Sequence, residues 1–79
     1  MILAALVTII GMTDPAPECR LVRERPFEGR STVSMAAATE KMLGRAAEKG
    51  ADTVQLEGKY CKQLVGRPCR SYEIGRAHV

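Results

Sequence analysis

The chain opens on an apolar run. Residues 1–13 carry no charged side chain, and the first ionisable side chain is Asp14. Such a run is shorter than the roughly 20 residues a helix needs to cross a bilayer, and it fits the apolar core of an export signal. The basic stretch that precedes such a core is missing, and so is a small-residue cleavage triplet. Two readings stay open. Residues 1–17 are an export-signal remnant plus a proline linker, or Ile2, Leu6, Ile9 and Ile10 belong to a buried first strand or short helix. Asp14-Pro15-Ala16-Pro17 forms the linker, because two prolines in three positions forbid regular helix and withhold backbone donors from a sheet.

Beyond the linker the pattern predicts one domain, residues 18–79. Cys19–Arg23 reads as a short strand ended by Arg25-Pro26, and Phe27-Glu28-Gly29-Arg30-Ser31 carries turn chemistry and reads as a loop. Ser34 is a helix N-cap. Met35, Ala38, Met42 and Ala46 then fall on one face of a helix from Met35 to Lys49, widened by Leu43 and Ala47. Gly50 suits the left-handed position that stops it. Asp52–Glu57 alternates polar and apolar, a strand with Val54 and Leu56 on its buried side, and Gly58 ends it. Residues 59–68 form a hairpin-like excursion. Arg70–Val79 is the last strand, with the small side of Gly75, Ala77 and Val79 opposite Tyr72, Ile74, Arg76 and His78. Small residues on one face let a helix come close. The expected fold is α+β, a small β-α-β-β domain with one amphipathic helix packed on a three-stranded sheet. Met35, Met42, Leu43, Val54 and Leu56 are its expected core.

Length narrows the functional classes. At 79 residues there is room for one small domain, which excludes multidomain enzymes and barrels. A hydrophobic content of 46% suits a folded domain. Lys and Arg total 12 against 9 acids, a net charge of +3. Much of it lies late. Lys59, Lys62, Arg67, Arg70 and Arg76 face the single acid Glu73 in residues 59–79, a net of +4. Such a stretch suits nucleic acid or anionic head groups. With no recognised RNA-binding signature, it reads better as a solvated strand edge whose charges block aggregation.

Two segments resemble known proteins. Leu43-Gly44-Arg45-Ala46-Ala47-Glu48-Lys49-Gly50-Ala51-Asp52-Thr53-Val54-Gln55-Leu56 is similar to a helix-to-strand junction of small Gram-negative envelope lipoproteins of unknown function. Those are related to the Rcs-pathway outer-membrane stress-sensor lipoprotein. The tail Ile74-Gly75-Arg76-Ala77-His78-Val79 resembles the same family, with His78 where the family has an aromatic residue. A similar junction occurs in a cytosolic family of oligomers assigned to heavy-metal binding. The resemblance spans roughly residues 19–79. It implies an exported, lipoprotein-like domain of the periplasm or outer membrane, with a role in stress sensing or protein contacts.

Three cysteines are an odd count. In an oxidising envelope compartment two can pair. Cys61 and Cys69, flanking residues 62–68, are the disulfide candidates, and three free thiols are the alternative. Cys19 is the lipidation candidate, on a poor match, since charged Glu18 precedes it. A zinc set of the three cysteines and His78 lacks the close C-x₂₋₄-C pairs of structural sites, so no metal is expected and His78 reads as a solvent-facing strand end. No nucleophile has a placed base and no phosphate loop occurs, so neither catalysis nor a cofactor is expected. The reading is a non-enzymatic envelope module, with envelope proteins as partners, a membrane tether, and nucleic acid disfavoured. The alternative is a cytosolic small basic module that binds nucleic acid or metal. The tail resemblance further implies a cysteine directly after Val79 in the parent reading frame; a stop codon at that place, on sequencing the locus, would refute it.

Overall fold

The computed structural model describes residues 7–63, 65–66 and 69–79. The expectations that fall on Ile2, Leu6, Arg67 and Pro68 lie outside the described residues. Among those described, the order is β1 (Thr8–Ile10), β2 (Phe27–Ser31), α1 (Met35–Glu48), β3 (Thr53–Lys62) and β4 (Arg70–His78). The fold is α+β with one helix, as expected, and its sheet has four strands rather than three, in the order β1-β3-β4-β2.

Both ends of the helix are set locally. The Ser34 hydroxyl accepts from the Ala37 amide at 3.0 Å, which satisfies one donor of the first turn. At the other end Gly50 takes φ +90°. Its amide donates to the Ala47 carbonyl at 3.0 Å, and the Ala51 amide donates back to Ala46 at 3.1 Å. These are the two bonds of a Schellman cap. Ala51 is buried just beyond the cap. The Asp52 amide then donates to the His78 carbonyl at 2.8 Å, so the chain leaves the helix directly into the sheet.

β4 lies in the middle. It pairs antiparallel with β3 on one side and with β2 on the other. The unit β2-α1-β3 is therefore a split crossover, with β4 inserted between its two strands. β1 adds a parallel strand on the outer side of β3, with Ile9 opposite Val54. It falls within the residues expected as an export remnant; it is a strand, as one alternative had it, but Ile9 is exposed and Ile10 only partly covered, so neither is the core residue that alternative expected. Val7, just before it, is buried.

Three boundaries differ from expectation. Phe27–Ser31 is a strand, not a loop. Phe27, Gly29 and Ser31 point inward and are buried, and a glycine that serves close packing looks like a turn residue in sequence. The expected strand at Cys19–Arg23 is reduced to one bridge, Leu21 to His78. The break follows at Arg25-Pro26, where proline has no amide to donate. Gly58 does not end β3. A register shift between Leu56 and Gly58 absorbs Glu57 as a bulge, and pairing continues to Lys62 opposite Arg70.

The core joins α1 to β2 and β4. Ala38, Met42 and Ala46 are fully buried on the helix, and Val54 and Ala77 meet them from the sheet. Leu43 is buried as expected, whereas Met35 and Leu56 are only partly covered. Burying one such side chain stabilises by about 1.5–3 kcal/mol. Two glycines permit the contact. A Cβ on Gly29 would collide with the Ala38 carbonyl oxygen and the Met42 amide nitrogen. A Cβ on Gly75 would lie 2.6 Å from Val54 Cγ1 and 3.0 Å from Met42 Sδ. By contrast, a Cβ on Gly44 meets nothing within 4 Å. Gly29→Ala is expected to destabilise by about 1–3 kcal/mol through overpacking against backbone. Gly44→Ala should stabilise by about 1 kcal/mol, because it removes a helix-interior glycine. Thermal unfolding checks both, at about 4–8 °C per kcal/mol for a domain of this size; equal shifts in the two variants would contradict the packing described.

Candidate functional site

β4 organises two different ends of the molecule. At its start stands the β3–β4 hairpin. Cys61 pairs in register with Ser71, and Cys69 immediately precedes β4. The structure joins Cys61 to Cys69, with a Cα–Cα distance of 5.8 Å, within the range a disulfide spans. The two expected partners are thus brought together.

The same hairpin carries an aromatic pair. Strand alternation sends Glu73 and Gly75 towards the helix, so Tyr72 and Ile74 face away from it. Tyr60 stands opposite Tyr72, and their rings stack at 4.6 Å between centroids with an interplanar angle of 6°. Arg30 of β2 is registered with Tyr72 on the other side, and Lys62 lies opposite Arg70 one step along. Tyr72 is buried, whereas Tyr60 is 47% exposed. The open face of the hairpin thus presents an aromatic edge among three cations. Glu73 is removed from that face. It is buried on the helix side, where the Thr39 hydroxyl donates to its Oε1 at 2.8 Å. Glu28, opposite Ile74, is the carboxylate next in register.

At the far end of β4 a strap formed by residues 11–26 crosses the same face. Gln55 Nε2 donates to the Asp14 carbonyl at 2.8 Å, and Asp14 Oδ2 accepts from the Gly11 amide at 2.7 Å. Arg20 and Val79 exchange backbone bonds of 3.1 and 2.7 Å, and the Val22 amide donates to Ala77 at 2.9 Å. Arg76 holds the middle. Its Nε donates to Glu57 Oε2 at 2.6 Å, and its Nη1 donates to the Glu24 carbonyl. The Glu57 hydrogen bond, with the Glu57 and Glu24 charges, outweighs a desolvation that acts the other way and raises the Arg76 guanidinium above its ordinary value. A raised base keeps its contribution below its ordinary pKa and loses it only above that value, so Arg76 stays charged through the neutral range.

The strap corrects the expectation for His78. That residue is not solvent-facing: it is 6% exposed. Its Nδ1 lies 3.3 Å from the Cys19 carbonyl oxygen, and its Nε2 is buried without a partner. The strap that covers it is built of prolines and charges, with no periodicity to announce a contact. Cys19 is exposed, at the opposite end of β4 from Cys61 and Cys69, so the four residues of the zinc alternative are not brought together. Among the described residues no group of three or more His, Cys, Asp or Glu could hold a metal ion, and no helix is long and apolar enough to cross a membrane.

No family model, curated protein or solved structure matches this chain. The Tyr60–Tyr72 stack is the feature that sequence reasoning missed. Its signal was present in the hairpin register, since two tyrosines equidistant from the turn meet across it. Reading it required continuing β3 through Gly58.

Proposed function

We propose that the chain is a non-enzymatic binding module of the bacterial envelope, in which the β3–β4 hairpin meets partner proteins. The observation that carries this reading is the juxtaposition of Cys61 and Cys69 at the base of the hairpin loop. A disulfide persists in an oxidising compartment and is rare in the cytosol. The hairpin also has need of it. Beyond the bulge, Lys59–Lys62 is exposed and no strand pairs with its outer edge among the described residues. The resemblance of the Gly50-Ala51-Asp52 junction to envelope lipoproteins points the same way.

Protein recovered from an envelope fraction under native conditions is expected to show one thiol reactive towards maleimide, Cys19, and three after reduction and unfolding. Closing the loop between Cys61 and Cys69 contributes about 2–3 kcal/mol in the chain-entropy model, so Cys69→Ser should lower the melting temperature accordingly. Recovery of the full chain with three reactive thiols, or from the cytosol alone, would sink the envelope reading.

One observation favours a second reading, a small basic module that binds single-stranded nucleic acid. Tyr60 exposes its ring beside Lys62 and Arg70, the combination on which bases stack and phosphates are neutralised. Anisotropy of a labelled oligothymidylate decides it. Binding should weaken with salt with a slope of about −0.7 per phosphate contacted, and Tyr60→Ala should cost about 1–3 kcal/mol. A flat response at low salt removes this reading.

A further inference from the structure

A second cluster of cations lies away from the hairpin, where the end of the strap, just past the Val22 bond to β4, meets the helix. Between the last turn of α1 and the chain entering β2 there is an open cleft of about 240 Å³, lined by Arg23, Phe27, Arg45, Glu48 and Lys49. Its two guanidinium groups are held in place. Arg23 lies over the Phe27 ring at 3.6 Å from the centroid. Its Nε donates to the Arg25 carbonyl at 2.9 Å and its Nη2 to the Pro26 carbonyl at 3.2 Å. Arg45 reaches from the helix to donate through Nη1 to the Glu28 carbonyl at 3.2 Å. Each guanidinium has five N–H donors, so these bonds leave Nη1 of Arg23 and both Nε and Nη2 of Arg45 for a ligand. Lys49 brings an ammonium from the helix C-cap. Among the described residues no carboxylate lies within ion-pair distance of these three cations.

We infer that this cleft is a binding site for a compact phosphate group, independent of the hairpin surface and of the compartment proposed above. Three points carry the assignment. Fixed guanidinium forks match the planar arrays of oxygen acceptors on a phosphate, and their ordering cost is already met by the backbone carbonyls and the Phe27 ring. The volume is below that of pockets for drug-sized ligands, which begin at about 300 Å³, so the cleft takes a head group or a free anion rather than a nucleotide. Glu48 shares the lining and adds the one acceptor. Its carboxylate opposes a bare phosphate and favours one that carries an ammonium beside it, as in phosphoethanolamine.

The chemistry has two sources, a free phosphate compound or a lipid head group, and the experiment separates them. The full chain is titrated at constant ionic strength with inorganic phosphate and with phosphoethanolamine. The readout is the amide and guanidinium ¹⁵N–¹H shifts of residues 23, 45, 48 and 49. In parallel the chain is sedimented with phosphatidylglycerol, phosphatidylethanolamine and phosphatidylcholine vesicles. Saturable shifts confined to the cleft are expected. Arg45→Gln and Lys49→Gln should each weaken binding about tenfold, the scale of one charge-assisted contact. Lys62→Gln, which removes the same charge from the hairpin, should leave it unchanged. Arg45 is an exposed helix position and Lys49 the exposed C-cap, so both variants are expected to fold, which the melting temperature checks. Binding to soluble phosphates without vesicles assigns a free ligand; sedimentation that Arg45→Gln abolishes assigns a head group. Equal losses in Arg45→Gln and Lys62→Gln, or no shifts and no sedimentation, would overturn the site.

Discussion

The close approach of α1 to the sheet governs the rest of the molecule. At Gly29 and Gly75 the helix backbone and Met42 occupy the space that side chains would otherwise fill. This draws the helix over β2 and β4 and leaves it off the line of β3. A small domain gains little from a core unless its layers interlock at high density, and here the interlock is narrow and deep. Met42 and Val54 are sealed within it, while Ile9 on the neighbouring edge remains 46% exposed. The uncovered half of β3 follows from the same placement. It has no helix above it, and what orders it is the ladder to β4, the tyrosine stack and the cysteine pair at its tip.

The opposite face has a different solution. Among the described residues no second helix covers it, and the strap takes that place with polar bonds instead of apolar area. Gln55, Arg76 and His78 each grip a backbone carbonyl of the strap. Arg76 also ties the strap to the bulge through Glu57, so the irregularity in β3 has a partner across the sheet. Among the described residues the buried Nε2 of His78 has no partner, and a polar atom so shut away costs free energy that a smaller residue would avoid.

Much of this fold was legible in the chain. The helix, its Ser34 cap and its Gly50 stop are local properties, and a periodic apolar face with flanking caps is unambiguous over fourteen residues. Val54, Ala77 and Gly75 followed from strand alternation. What failed had non-local causes. Gly29 and Gly58 have the composition of turns, yet one makes room for a helix and the other follows a bulge. Leu21 and Val22 have strand composition, but Pro26 limits them to a bridge and a few bonds beside β4. The hairpin cysteines were visible from spacing, whereas the tyrosine pair and the arginine cleft each need a register or a crossing that no single segment encodes.

The insertion of β4 between β2 and β3 has a consequence for how the chain is made. β2 and β3 are parallel and do not touch; among the described residues β2 has its strand partner only in residues 70–78, and only that strand joins it to β3 and β1. Until that stretch has been made, the helix has half a surface to rest on, β2 has no strand beside it, and the sheet is limited to the short β1–β3 pairing. Contacts of long sequence separation must form together once β4 is available, which slows folding. The central strand of the sheet is therefore the last of the described elements to be made, and the pieces on either side of it wait for it.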